Sequence, residues 1–100
     1  MALKMHRSLA VHPGPWLRTE IVEPADIRVG HLAAALKVSR QAVSAILSGR
    51  ASLSADMALR LEQALGVSAD TLMRMQTTYD LAQARQHDLL PAIQRLIAAA

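Results

Sequence analysis

Residues 28–50 read RVGHLAAALKVSRQAVSAILSGR. Val29, Leu32, Ala33 and Leu36 recur at helical spacing, and after a gap Val43, Ile46 and Leu47 do so again. The spacing predicts one short amphipathic helix beginning at Arg28. A second follows after about three connecting residues, Lys37–Ser39. Ser39 is the expected cap of the second helix, its hydroxyl accepting an N–H from Gln41 or Ala42. Gly49 is expected to stop that helix by taking a left-handed conformation just past its end.

Two short helices with so tight a joint have the length pattern of a helix-turn-helix, spanning residues 28–49. In that motif the second helix enters the major groove with its first residues facing base edges. The residue types suit the task. Arg40 has the fork geometry for guanine O6 and N7, and Gln41 the amide geometry for adenine N6 and N7. Ser44, one turn on, is short enough to lie against a base or a phosphate, and Ala42 and Ala45 leave room for close approach. The same spacing also occurs in helical bundles that bind no DNA, so a pure protein-interaction module stays open at this point.

Charge placement favours DNA. The formal net charge is only +3, but between Asp26 and Asp56 lie Arg28, Lys37, Arg40 and Arg50 with no acid among them. From Asp56 onward, Asp56, Glu62, Asp70, Asp80 and Asp88 face Arg60, Arg74, Arg85 and Arg95. A zone of one sign is what a phosphate backbone needs, whereas an ordinary solvated face mixes signs.

The rest of the chain reads as more helix. Pro15 suits a first helical position, Trp16, Leu17 and Ile21 follow at helical spacing, and Pro24 ends that helix by Glu23. Ser54 caps a fourth helix with Asp56 in its first turn, Met57, Leu61, Ala64 and Leu65 facing inward and Gly66 as its stop. Ser68 and Asp70 announce a fifth, carried by Leu72, Met75, Tyr79 and Ala82 toward Arg85. Pro91 marks a kink or a new start, after which Ile93, Leu96 and Ile97 continue a stripe. No β-alternation competes, so the fold class is all-α: five helices with an additional C-terminal helix. At 100 residues one domain is the default, with a modest core. That core rests on Leu, Ala, Val, Ile and Met, since there is one Trp, one Tyr and no Phe. We expect a flexible N-terminal segment over 1–11, the DNA-binding domain over 12–86, and a C-terminal helix over 87–100. Leu89, Leu90, Ile93, Leu96 and Ile97 are the expected dimer contacts, because their own chain has little left to cover them.

Three blocks, HPGPWLRTEIVEP, LAAALKVSRQAVSAILSGRASLSADMALRLEQALGVS and MQTTYDLA, together resemble the HigA-type antitoxins, Xre-like helix-turn-helix proteins of bacterial toxin–antitoxin modules. The resemblance covers about Val11 to Leu81. It implies a homodimer that binds an inverted-repeat operator and represses its own operon. It also implies a RelE-like messenger-RNA-cleaving toxin of the HigB type as protein partner. A free-standing Xre-type regulator without a toxin is the alternative. Carried over, base reading falls on Arg40, Gln41 and Ser44 with Ser39 at the helix start. Arg28, Ser48 and Arg50 fall at backbone contacts, and Lys37 completes the DNA-binding set. The family usually has glycine where Lys37 stands, so this lysine is expected in a left-handed conformation at a cost of about 1 kcal/mol. Pro15 replaces the glutamate of the family's HPGE lead, and Leu72–Met73 replace its aromatic pair.

Other chemistries find little support. The absence of cysteine removes disulfides and thiolate metal sites and fits a cytoplasmic protein. His6, His12, His31 and His87 match no paired-ligand spacing, so no metal or other cofactor is expected, and His12 is read as capping or packing at the first helix. Glu20, Glu23 and Asp26 read as solvated charges. No Ser-His-Asp or phosphate-loop arrangement is visible, so no enzyme is expected. No apolar run approaches a membrane span, and no signal-peptide pattern appears.

Overall fold

A computed structural model describes residues 10–98. Helix α1 spans Pro13–Leu17 and continues as a π-helical turn over Arg18–Val22; α2 spans Val29–Leu36, α3 Arg40–Leu47, α4 Ala55–Leu65 and α5 Ala69–His87. There is no strand among the described residues. The expectation of a flexible N-terminal segment falls almost wholly outside them.

Local chemistry sets the boundaries. Ser39, Ser54 and Ser68 each cap a helix, their hydroxyls accepting the N–H of Ala42 (3.0 Å), Met57 (3.1 Å) and Thr71 (3.2 Å). Gly49 and Gly66 close α3 and α4 with φ of 82° and 75°, a region glycine enters at little cost. Lys37 closes α2 at φ 61°, ψ 45°, the left-handed conformation expected of it. The first helix starts two residues earlier than Pro15, with Pro13 at its first position and His12 as cap.

The core gathers Leu17 and Val22 from the first helix, Leu32, Ala33 and Leu36 from α2, and Val43, Ile46 and Leu47 from α3. Leu53, Met57, Ala58, Leu61, Ala69 and Leu72 complete it. α3 packs against both α1 and α2, α4 against α2 and α5, and α1 also touches α5. Helix α3 is thus wedged between α1 and α2, with one face left to solvent.

Three expectations need correction. Ala64 is exposed, and Ala58 takes the inward position on α4. On α5 the deeply buried line runs through Ala69, Leu72 and Gln76, while Met75, Tyr79 and Ala82 are half-buried at its flank. The additional C-terminal helix is absent: Asp88 is left-handed at φ 46°, its N–H bonds back to the Ala84 carbonyl at 2.9 Å, and residues 88–98 form no helix. Pro91 disfavours helical backbone at Leu90, and a stripe with nothing to pack on does not sustain a short helix by itself. No helix among the described residues is long and apolar enough to cross a membrane.

Candidate nucleic-acid interface

The exposed side of α3 is built from the inside out. Val43, Ile46 and Leu47 are 3–7% exposed and fix the helix by its apolar stripe. Arg40, Gln41 and Ser44 are left on the outer face, with Ala42 and Ala45 beside them. Arg40, Gln41 and Ser44 line one shallow surface depression with Val29 and Arg50. Arg40 runs along the first turn of α2: a Cβ placed on Gly30 would lie 3.5 Å from its Nε. Arg50 reaches back to α3, its Nε donating to the Ser48 hydroxyl at 3.0 Å, while that hydroxyl donates to the Ala45 carbonyl at 3.1 Å.

The structure therefore brings Arg40, Gln41, Ser44, Ser48 and Arg50 together around α3. Arg28 stands exposed at the cap position of α2, next to Val29 at the rim. The Ser39 hydroxyl is engaged by the Ala42 N–H. Lys37 stands apart: it lines a separate depression with Ala35, Arg60, Gln63 and Ala64, on the α4 side of α2. Among the described residues the ion pairs are Arg18–Glu23 at 3.9 Å and Arg60–Asp56 at 3.1 Å, and neither involves Arg28, Arg40 or Arg50. Those three guanidinium groups are left to pair with an outside anion.

Three residues that sequence reasoning passed over hold this face in place, with a fourth whose capping role at the first helix was expected but whose reach to the far end of α3 was not. Arg60 donates from Nη1 to the Leu36 carbonyl at 2.7 Å and from Nε to Asp56 at 3.1 Å, tying the turn between α2 and α3 to α4. The Gln76 side-chain oxygen accepts the Leu53 N–H at 2.7 Å, and its amide donates to Asp80 at 2.9 Å. Glu62 accepts the Ala69 N–H at 2.9 Å and so caps α5 from α4. The fourth is His12, 6% exposed. Its Nδ1 accepts the Gly14 N–H at 2.9 Å, which leaves Nε2 as the donor to the Ala51 carbonyl at 3.0 Å. Tyr79 meets the ring edge-on, centroids 5.1 Å apart. The Asp56-to-Arg60 spacing of four residues, on a helix already capped by Ser54, was the available signal for Arg60. Position 76, one turn after Leu72, was the signal for Gln76.

Fold and site define the class of protein: a helix-turn-helix domain whose second motif helix offers polar and basic side chains to a ligand. The helix-turn-helix family model matches residues 25–72. The virulence-associated protein I of Dichelobacter nodosus is 40% identical over 77 residues, covering 77% of this chain and 71% of that protein. Pseudomonas aeruginosa antitoxin HigA, solved with the higBA promoter, is 37% identical with a TM-score of 0.76, over 88% of this chain and 99% of that one. Antitoxin GraA in complex with its operator is also 37% identical, TM-score 0.78, over 88% and 92%. The chain belongs to the HigA-type antitoxins of the helix-turn-helix family, whose members are DNA-binding regulators and not enzymes.

Proposed function

We propose that this chain is the antitoxin of a toxin–antitoxin module, binding its operator through α3 and repressing its own operon. One observation carries the DNA-binding part: Arg40, Gln41 and Ser44 share the exposed side of a helix whose opposite side is locked in the core, with Arg50 at the same rim. Arg40 and Gln41 read base edges, Ser44 lies against a base or phosphate, and Arg28, Ser48 and Arg50 hold the backbone. Lys37, on the far side of the turn, would reach only a flanking phosphate.

Two further parts follow from the family. A single reading helix covers few base pairs, so specific binding requires two copies on half-sites about one DNA turn apart. The stripe of Leu89, Leu90, Ile93, Leu96 and Ile97, 77–93% exposed in the isolated chain, is the proposed dimer contact. It orders only when a second copy covers it. The protein partner is a RelE-like toxin of the HigB type, bound at a surface separate from the reading face.

The test is a double variant, Arg40→Ala with Gln41→Ala, assayed for binding to the DNA upstream of its own operon and for co-purification with the product of the neighbouring toxin gene. The proposal expects operator binding to be lost and toxin binding kept, with circular dichroism unchanged. Retained operator binding would place the reading surface elsewhere, and joint loss from a folded protein would mean one shared surface.

A further inference from the structure

His12 lies outside the helix-turn-helix, yet it touches the segment that follows α3. From α3 the chain turns through Ser48, Gly49, Arg50 and Ala51, with the Arg50 and Ala51 N–H groups both bonded to the Ala45 carbonyl at 2.9 and 3.1 Å. That return leaves the Ala51 carbonyl facing α1, where His12 Nε2 takes it. The approach is close throughout. A Cβ on Gly14 would overlap the Ile46 carbonyl oxygen, and one on Gly49 would come within 3.3 Å of Pro15 and 3.8 Å of the His12 ring. The imidazole is held from three sides, by the Gly14 N–H, the Ala51 carbonyl and the Tyr79 ring. It has one tautomer and one orientation.

We infer that His12 is a positioning residue for DNA binding: through the Ala51 carbonyl it sets the backbone from Ser48 to Arg50, and so aims the Arg50 guanidinium at phosphate. Both ring nitrogens are needed, one to start α1 and one to hold the end of the reading segment. The local order of the chain supports this. Arg50 is exposed and its one side-chain bond among the described residues is to Ser48, so its aim depends on its backbone, and the carbonyl that His12 grips belongs to the next residue, Ala51. Tyr79 braces the ring from α5, which links the first, second and third sequence blocks at one point.

The inference rests on Arg50 as a phosphate contact, and the experiment separates the two. Operator affinity is measured against salt for the wild type, Arg50→Ala, His12→Asn and the pair combined. Asparagine at position 12 still caps α1 but is too short to reach Ala51. Arg50→Ala should weaken binding about tenfold and lower the salt slope by about one. If it leaves the slope unchanged, the reading of Arg50 is wrong. If it lowers the slope, His12→Asn should do the same, and the combined variant should bind no more weakly than Arg50→Ala alone. Multiplied losses, or a wild-type slope in His12→Asn, would overturn the positioning role. Should His12→Asn melt below the assay temperature, His12→Gln replaces it: its amide N–H still reaches Ala51, so it should keep the wild-type slope despite lower stability. A slope reduced by one in that variant would also overturn the inference.

Discussion

The reading segment and the C-terminal tail carry apolar residues at comparable density and meet opposite fates. Over residues 39–51 every apolar stripe residue is buried; His12, the cap of α1, grips the end of the stretch, and Arg60 of α4 holds the Leu36 carbonyl just before it. Over residues 88–98 the apolar residues are almost wholly exposed and the backbone forms no helix. Spacing alone favours a helix equally in both. The difference is what surrounds them. α3 is offered surfaces by α1 and α2, plus caps at both ends; the tail begins with a left-handed residue, contains a proline and is offered no packing surface by the described residues of its own chain. The stability of a short helix comes from the partner its apolar face finds.

Substitutions break this contrast to different degrees. The largest effect is expected at Gly14, where any side chain meets the Ile46 carbonyl. Gly14→Ala should cost about 3 kcal/mol, seen as a melting temperature lower by roughly 10–20 °C. Gln76→Leu comes next, because it strands the Leu53 N–H in the core; a loss of about 1–3 kcal/mol in urea unfolding is expected. Arg60→Met removes the bond to the Leu36 carbonyl while keeping most of the apolar stem, and should cost about 1 kcal/mol. It should also raise hydrogen exchange in the turn between α2 and α3. The smallest effect on the isolated fold belongs to the tail. Ile93→Asp with Ile97→Asp should change monomer stability by less than about 0.5 kcal/mol. If the tail makes the proposed dimer, the variant should nonetheless sediment as a monomer and lose cooperative operator binding. A dimer that survives at micromolar concentration would move the interface to another face.

The same contrast explains what could be read from the sequence. The capping serines and the glycine stops were legible because they are local: each is decided by a residue and its next three neighbours. The left-handed Lys37 was expected only through the resemblance, since the family usually has glycine at that position. The stripe of α3 was legible because apolar spacing and the exclusion of acidic residues coincide there. The missing C-terminal helix was not, since a periodic pattern records the capacity to form a helix and not whether a partner is present. His12, Arg60 and Gln76 act across 39, 24 and 23 residues of chain, and their partners are main-chain atoms, which leave no mark in a sequence. The stripe of α5 slipped because one of its buried positions, Gln76, is polar and accepts the buried Leu53 N–H, so following apolar residues alone led to its flank. Of the residues expected to face DNA, Lys37 separated from the rest because the left-handed turn sends it toward α4.

The central claim is that the exposed side of α3 reads base sequence, and a binding-site selection with Arg40→Ala tests it most directly. Randomised duplexes are enriched with wild-type and variant protein and the recovered sites compared. Losing a bidentate contact to guanine should relax preference at one base pair in each half-site, with about 1–3 kcal/mol of discrimination gone, and leave the other positions as they were. Recovered sites identical to those of the wild type would contradict the account and remove α3 as the reading helix.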